Sequence, residues 1–237
     1  MTPDSSVIAS QGVFVSGTDT GVGKTVVAVA LLQAAAGRGL RVVGMKPVAA
    51  GAERSASGRL VNEDVAALVQ ASNVQAPPEL VNPYCFEPAV APHLAAGSAG
   101  VTIDLDRIQQ AYGALASRAQ LVVVEGAGGL LVPLNDTADF ADLVVRLGLP
   151  VVLVVGMRLG CLNHALLTEE VMRQRGLHLA GWVANRVDPG MVAFDGNLRT
   201  LQSRITAPLI GVLPFAPERR GMMAQFLRPE LLAYGPA

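Results

Sequence analysis

The sequence has little charge, few aromatic residues and only two cysteines, and each shortage argues against a class of function. Charged residues make up 16% of the 237 residues, against about 25% in an average domain. The net charge is -1, aromatic residues make up 4%, and Lys and Arg form no cluster, so nucleic-acid binding is not favoured. Cys85 and Cys161 lie far apart and fit no metal-ligand spacing, which favours a reducing compartment.

Long hydrophobic segments and targeting signals are also missing. The longest apolar run, from Leu147 to Met157, contains Pro150 and is shorter than the roughly 20 residues that span a bilayer. The first residues, MTPDSSVIASQG, lack the basic start and apolar core of a signal peptide. We therefore expect a soluble cytoplasmic protein.

Aliphatic residues are plentiful, and short apolar runs alternate with helical patterns. This order predicts an α/β fold in which helices flank both faces of a mostly parallel β-sheet. We expect a single domain over residues 1–237, with residues 1–12 as a flexible N-terminus. The predicted strands are Val13–Ser16, Arg41–Met45, Leu121–Val124, Val151–Val155, Ala180–Ala184 and Leu209–Leu213. The predicted helices cover residues 25–36, 63–71, 104–117, 138–147, 164–175 and 191–204.

Some helix ends and one long connection can also be predicted. Asn62 and Asn163 are candidate N-caps, and Gly37, Gly39 and Gly176 are candidate stop signals. The Pro-rich stretch over residues 75–100 is predicted to pass over the carboxyl edge of the sheet.

The segment SGTDTGVGKT predicts a phosphate-binding loop, because it follows a predicted strand and begins a predicted helix. Five residues, Thr18 to Val22, separate Gly17 from Gly23, whereas the common pattern has four. Lys24 would neutralise phosphate oxygens, and the Thr25 hydroxyl would bind Mg²⁺. The alternative is a glycine-rich turn with a solvated lysine. The context favours the first interpretation and a P-loop NTPase-like fold.

Polar residues at the ends of other strands are candidate partners of this loop. Glu125 ends the run LVVVE and is a candidate Mg²⁺ ligand. Asp64 is a second candidate, although the residues taken alone favour a structural role for it in the first turn of its helix. Lys46 ends a strand where ligands of open α/β sheets bind. Asn185 could read adenine or simply form a turn. The residues predict phosphoryl transfer and leave the acceptor open.

Together the motifs GTDTGVGKT, GMKPVAAG, NEDVAAL, VNPYCFEPAVAPH, VVVEGAGGLLVPL, VVGMRLGCLNHALLT, GWVANRV and APLIGVLPF resemble the dethiobiotin synthetase family. They run in order from about residue 13 to residue 215, and the family's phosphate loop has the same five-residue spacing. The resemblance implies closure of 7,8-diaminononanoate with CO₂ and ATP to dethiobiotin, ADP and phosphate. The implied path runs through a carbamate and a carbamic–phosphoric anhydride, with Mg²⁺, in a homodimer.

The resemblance also implies roles for single residues. Lys24, Thr25 and Lys46 match catalytic or phosphate-binding positions, and Thr25, Asp64 and Glu125 match metal ligands. Positions implied to contact nucleotide are Gly21, Val22, Gly23, Lys24, Thr25, Asp64, Glu125, Gly126, Ala127, Gly128, Asn185, Pro214, Phe215, Ala216 and Glu218. Positions implied to bind the diamine are Thr20, Lys46, Ala50 and Asn163, the last in a turn contributed across the dimer interface.

Three residues at two places depart from the family pattern. Ala49 and Ala50 stand where some members carry a Ser or Thr hydroxyl, and Gly21 stands where some relatives are acidic. The competing interpretation is a partitioning or switch ATPase, but Thr18 and Asp19 occupy the early loop, where such proteins typically carry an additional lysine. A cobyrinate-type amidation enzyme would need a glutaminase domain, which the sequence does not provide.

Overall fold

The computed structural model describes residues 11–231, except for the side chains of residues 11, 217–221 and 231. Ten strands lie in this part of the chain: β1 Gln11–Gly17, β2 Val42–Met45, β3 Val48–Ala49, β4 Glu53–Arg54, β5 Leu60–Val61, β6 Tyr84–Cys85, β7 Leu121–Glu125, β8 Val151–Gly156, β9 Leu179–Asn185 and β10 Leu209–Leu213. Eight α-helices lie there too: α1 Lys24–Ala36, α2 Glu63–Ala71, α3 Pro78–Val81, α4 Pro92–Ser98, α5 Leu105–Ala116, α6 Phe140–Leu147, α7 Cys161–Gln174 and α8 Phe194–Arg204. Two 3₁₀ segments follow, Pro217–Phe226 and Pro229–Leu231.

Six strands form one parallel sheet in the order β10-β9-β8-β1-β7-β2. All six predicted strands are present in this sheet, and their ends lie within two residues of the prediction. Strand β1 lies between β7 and β8. The early strand β2 lies on the β7 side of β1, and the later strands β9 and β10 lie on the β8 side, so the order of the chain changes direction there. Ligands bind at such a switch point in open α/β sheets, outside the carboxyl ends of the strands.

Both faces of the sheet are covered by helices. Successive side chains of a strand point to opposite faces, and β1 shows this directly: Phe14 packs in one hydrophobic cluster, and Val13 and Val15 pack in the other. The first cluster includes apolar residues of α5, α6 and α7, and the second includes those of α1. The predicted α/β architecture is confirmed. Within the described residues, no helix is long and apolar enough to cross a membrane.

The Pro-rich stretch follows the predicted path beyond the carboxyl end of β2. Its strand β6 pairs in parallel with β3, and the amide of Lys46 donates to the carbonyl of Val81. Residues 46–52 are thereby held against residues 81–88, next to the switch point. Strands β4 and β5 form a separate antiparallel pair between β3 and α2.

Three predicted boundaries were wrong. Asn163 is not an N-cap, because α7 begins earlier, at Cys161, after Gly160 in a left-handed conformation with φ 95°. Helix α8 begins at Phe194 rather than Met191, after Ala193 with φ 57°. The predicted N-terminal segment 1–12 overlaps β1, which begins at Gln11 and pairs there with Leu121; residues 1–10 lie outside the described part of the chain. Asn62 is an N-cap as predicted.

Candidate active site

The phosphate loop connects the central strand β1 to helix α1. Gly23 has φ 90°, which an L side chain rarely adopts, and a Cβ added there would lie 2.1 Å from Nδ2 of Asn185. That amide nitrogen donates a hydrogen bond of 2.8 Å to the carbonyl of Val22. The loop is therefore shaped by a glycine and by a buried side chain at the end of β9. The N-terminus of α1, with its positive dipole end, lies directly after it.

Lys24 is buried and holds two loops together. Its ammonium donates to the carbonyl of Asp19 at 2.9 Å and to that of Gly128 at 2.8 Å. Burial, together with the charge of Lys46, lowers the pKa of Lys24 from 10.5 to about 8. Because these two hydrogen bonds go to neutral carbonyls, the ammonium can exchange them for the charged oxygens of a phosphate.

Four side chains meet at the carboxyl edge of the sheet, each from a different segment of the chain. Thr25 comes from the start of α1, Lys46 follows β2, Asp64 lies in the first turn of α2 and Glu125 ends β7. Thr25 Oγ1 lies 2.7 Å from Asp64 Oδ1 and 2.8 Å from Glu125 Oε1. Lys46 Nζ lies 2.7 Å from Asp64 Oδ2 and 2.7 Å from Glu125 Oε1. The sequence predicted all four residues, and the fold brings them into direct contact.

The order of the strands explains this meeting. Strand β7 lies between β1 and β2, and the register pairs Glu125 with Val15 and Val124 with Met45. The carboxyl ends of the three strands therefore lie side by side. Asp64 reaches them because Asn62 caps α2, accepting hydrogen bonds from the amides of Asp64 and Val65. The sequence allowed Asp64 either a metal-binding role or a capping role in this turn. The structure shows that Asn62 provides the cap.

The charges of this cluster are strongly coupled. Burial opposes the charge of Lys46, but the carboxylates of Glu125 and Asp64 raise its pKa above the ordinary value. Asp64 is also partly desolvated, and the Lys46 ammonium nevertheless lowers its pKa. Glu125 differs, because complete burial raises its pKa despite the contact with Lys46. Burial thus disfavours the charged form of Glu125 in particular, and an added cation beside it would favour that form.

The oxygen atoms of the cluster fit a small divalent cation. The single hydroxyl hydrogen of Thr25 can be donated to only one of the two carboxylates that contact it. Glu125 Oε2 is buried without a hydrogen-bond partner among the described residues. Among the side chains that the structure describes, no group of three or more His, Cys, Asp or Glu residues could hold a metal ion, and this cluster has two carboxylates. Two carboxylates and a hydroxyl suit Mg²⁺, which takes its remaining ligands from phosphate and water.

The other predicted contact residues lie around this cluster at varying exposure. Thr20 and Gly21 form the exposed part of the phosphate loop, and a Cβ on Gly128 would lie 3.5 Å from the Thr20 hydroxyl oxygen. Gly126 and Ala127 continue the chain from Glu125. The carbonyl of Ala50 accepts a hydrogen bond of 3.4 Å from Asn62.

The predicted adenine-side and interface residues lie further along the same edge. Leu213 pairs with Asn185 in the sheet, so Pro214, Phe215 and Ala216 continue past the end of β10 beside that residue. The side chain of Glu218 lies outside the described residues. Asn163 is exposed in the first turn of α7. No bound ligand tests these contacts, and they stay predictions.

Three contributors to the site were missed in the sequence. Asn82 donates to the carbonyl of Lys46 at 2.6 Å and so fixes its backbone; the turn-forming pair Asn82–Pro83 was the available signal. Asp19 accepts from Lys24 through its carbonyl and forms an ion pair with Arg158. The sequence displays Asp19 within the loop, but its partner Arg158 lies 139 residues further along the chain.

Solved structures with a similar fold are nucleotide-binding proteins. The septum site-determining protein MinD from Pyrococcus horikoshii, in complex with Mg-ADP, superposes with a TM-score of 0.55 over 92% of each chain, at 16% identity. A ParA family ATPase from Chlorobium tepidum gives a TM-score of 0.56 at 15% identity, covering 90% of this chain and 88% of that one. At such low identity these likenesses establish the fold alone.

Sequence comparison finds relatives of much higher identity. A family model described as "AAA domain" matches residues 11–222. The ATP-dependent dethiobiotin synthetase BioD of Aromatoleum aromaticum is 56% identical over 85% of this chain and 89% of its own. Proteins of the same name from Nitrosospira multiformis and Ralstonia nicotianae are 55% and 51% identical, over 86% and 89% of this chain and 88% and 92% of their own. The chain belongs to the family of ATP-dependent dethiobiotin synthetases.

Proposed function

We propose that this protein is a ligase of biotin biosynthesis that converts 7,8-diaminononanoate, CO₂ and ATP to dethiobiotin, ADP and phosphate. Family membership at 51–56% identity supports this reaction. The structural observation that carries it is the buried cluster in which Lys46 contacts Asp64 and Glu125 beside the phosphate loop. Such a cluster suits transfer of a phosphoryl group to an anionic acceptor.

ATP is proposed to bind with its phosphates on the loop from Gly17 to Thr25. The backbone N–H groups of the loop and the N-terminus of α1 would contact the phosphate oxygens. Lys24 would release the carbonyls of Asp19 and Gly128 and donate to the phosphates instead. Asn185 and residues 214–216 would border the base. In this structure the Asn185 amide nitrogen donates to Val22, so a contact with adenine would use its oxygen or follow a rearrangement.

Mg²⁺ would be held by Thr25, Asp64 and Glu125. Bound there, the ion would neutralise phosphate charge and orient the γ-phosphate for transfer. Lys46 could then move from the carboxylates toward the reacting oxygens, because the ion would replace its charge beside Asp64 and Glu125. This exchange of cations gives Lys46 its proposed role in stabilising the developing negative charge.

The diamine is proposed to bind beside Asp64. A cavity of about 240 Å³ opens there, lined by Gly51, Glu53, Val61, Asn62, Glu63 and Asp64. Its acidic rim matches the positive charge of an amine. Thr20, Ala50 and Asn163 complete the proposed substrate contacts.

The chemistry then needs no protein nucleophile. One amine adds to CO₂ and forms a carbamate, whose oxygen attacks the γ-phosphorus while ADP leaves. The second amine attacks the carbamoyl carbon of the mixed anhydride, phosphate leaves, and the cyclic urea closes. The role of the protein is to hold the reactants in line and to place Lys24 and Lys46 beside the negative charge.

We further propose a single domain that works as a cytoplasmic homodimer. Leu159, with an exposure of 97%, lies in the turn before α7, and Leu167 on α7 is exposed at 57%. A second copy of the chain covering these side chains would bring its own Asn163 to the interface. We expect the wild type to sediment as a dimer and Leu159→Ser as a monomer; a wild type that sediments as a monomer would refute the homodimer, and a dimeric Leu159→Ser would place the interface elsewhere.

The deciding experiment is a reaction assay with purified protein, Mg²⁺ and ATP, with and without the diamine and bicarbonate. We expect one ADP and one dethiobiotin, detected by mass, only when both additions are present. Lys46→Gln serves as the inactive control, and Arg146→Gln, which breaks an exposed ion pair with Asp106 on the protein surface, serves as the active one. ADP release that responds to DNA or lipid, but not to the diamine, would favour the switch-ATPase alternative.

A further inference from the structure

The longer phosphate loop carries a negative side chain of its own, and one arginine neutralises it. Asp19 Oδ1 accepts a hydrogen bond of 2.7 Å from the amide of Thr20, and Asp19 Oδ2 lies 2.5 Å from Nη2 of Arg158. The backbone carbonyl of the same residue accepts from Lys24. Asp19 thus contacts the loop backbone, the buried lysine and a distant arginine.

Arg158 belongs to the turn between β8 and α7. Its carbonyl accepts a hydrogen bond of 3.0 Å from the amide of Cys161, the first residue of α7. Strand β8 is already close to the phosphate loop, because the amide of Thr18 donates to the carbonyl of Val154 at 3.0 Å. The arginine therefore extends from a fixed backbone turn and reaches a loop that packs against the same strand.

The position of Asp19 would oppose nucleotide binding if its charge were not compensated. Its backbone lies between Gly17 and Gly23, where the loop must surround phosphate groups. A carboxylate has the same sign of charge as those groups, and the side chains of Asp19 and Arg158 are 43% and 44% exposed, close to the exposure of the Arg146–Asp106 pair. Coulomb interactions at such a surface are stronger than in bulk water. Removing the Arg158 charge would leave the carboxylate to repel the triphosphate.

We propose that Arg158 is a positioning residue for nucleotide binding: through its ion pair with Asp19 it neutralises and fixes the phosphate loop, and it joins that loop to the turn that begins α7. This inference rests on the proposed ATP site but not on the proposed reaction. Its test is accordingly the binding of Mg-ATP, measured by calorimetry without diamine or bicarbonate.

Four variants and one control define the test. Arg158→Gln should weaken Mg-ATP binding about fivefold, the upper end of what a part-exposed ion pair contributes, and Arg158→Lys should restore most of the loss. Asp19→Asn keeps an oxygen for the Thr20 amide but has no charge. The double variant Asp19→Asn/Arg158→Gln should therefore bind Mg-ATP more tightly than Arg158→Gln alone. Arg146→Gln breaks an exposed arginine–aspartate pair elsewhere and should bind Mg-ATP like the wild type.

Steady-state kinetics distinguish a positioning role of Arg158 from a loss of folded structure in its variants. Arg158→Gln should raise KM for ATP about fivefold and change kcat less than about twofold, because it alters binding and not the reacting groups. Its melting temperature should match that of Arg146→Gln. The proposal is overturned if Arg158→Gln binds Mg-ATP as well as Arg146→Gln does, or if the double variant is weaker than either single variant. A wild type that binds Mg-ATP but forms no dethiobiotin would refute the proposed reaction and leave this test intact.

Discussion

The ammonium of Lys46 and a carboxylate oxygen of Glu125 lie 2.7 Å apart, and their side chains are only 5% and 1% exposed. A buried pair of this kind contributes little net stability, because removing both charges from water costs about as much as their attraction returns. Lys24, 7% exposed, is the only other lysine in the sequence. The only two lysines are thus both in the site and nearly inaccessible, which points to chemistry rather than to stability as the reason for their presence.

Lys46→Gln should reduce kcat by about 10²–10³-fold, since removing a charge that stabilises a transition state has effects of this size. Glutamine keeps a hydrogen-bond donor for Glu125 but has no positive charge. Steady-state turnover with saturating ATP measures the loss, and circular dichroism checks that the fold persists. An unchanged kcat would mean that Lys46 is a structural partner of the carboxylates and nothing more.

Much of the site could be predicted because it depends on local pattern. The loop, Glu125 and Lys46 each lie at the end of an apolar strand, and parallel strands bring their carboxyl ends to one edge. Asp64 was harder, since the first turn of a helix is a common place for an acidic residue without any ligand. The contacts of Asp64 with Thr25 and Lys46 join distant segments, so the sequence pattern alone did not contain them, and its role as a metal ligand stays a prediction.

Other features depend on contacts between distant segments, which no local pattern contains. The Arg158–Asp19 pair joins two loops through the adjacency of β1 and β8, and that adjacency is a property of strand order. The start of α7 was predicted at His164 because Asn163 is a good capping residue, yet Gly160 takes the left-handed conformation and the helix begins at Cys161. The capping propensity of Asn163 is therefore not used, because the turn after β8 already sets the start of the helix.

Removal of Mg²⁺ should abolish most of the thermal stabilisation that ATP provides, if Thr25, Asp64 and Glu125 hold the ion. Thr25→Val has nearly the same shape but lacks the hydroxyl, so its ATP-dependent shift in Tm should become insensitive to added Mg²⁺. In EDTA the variant and the wild type should respond to ATP equally. A Mg²⁺ response in Thr25→Val as large as in the wild type would contradict the proposed ligand set.

Helix α6 supplies a pH-dependent prediction away from the site. Asp139 and Asp142 form a capping box, and Asp142 also contacts Arg175 at 2.8 Å. The hydrogen bond from the Asp139 amide, followed by the charge of Arg175, lowers the pKa of Asp142. A lowered pKa in the folded state adds stability above the unfolded pKa of about 3.9, and this stability is lost as the pH falls through the folded value.

Asp142→Ala should therefore lower the free energy of unfolding by about 1 kcal/mol at pH 7, the usual net contribution of one hydrogen bond, here the one that Asp142 accepts from the Asp139 amide. The difference from wild type should begin to shrink below about pH 4, the unfolded pKa, and should continue to shrink as the pH falls through the lower folded value. Urea unfolding at several pH values measures this. Asp142→Asn keeps an acceptor without charge, so its own stability should depend less on pH in the acid range; an equal acid dependence in wild type and Asp142→Asn would argue against the ion pair.

Two glycines of the phosphate loop provide a matched pair of substitutions. Gly21 and Gly23 both have positive φ, 73° and 90°, so alanine at either position costs about 1–2 kcal/mol of backbone strain. A Cβ at Gly21 meets no atom within 4 Å, whereas a Cβ at Gly23 would lie 2.1 Å from Asn185 Nδ2. Gly23→Ala must therefore also displace the Asn185 amide from the Val22 carbonyl, which adds about 1–3 kcal/mol for the buried groups left unpaired.

We expect Gly23→Ala to unfold at clearly lower urea concentration than Gly21→Ala and to lose measurable ATP binding, because the loop would lose the shape that surrounds the phosphates. Gly21→Ala should keep binding within about tenfold, since its added strain is no more than 1–2 kcal/mol. Urea titrations and calorimetry with Mg-ATP on both variants give the comparison. Equal losses at the two positions would mean that backbone conformation alone governs the loop, and that the hydrogen bond from Asn185 does not hold it in place.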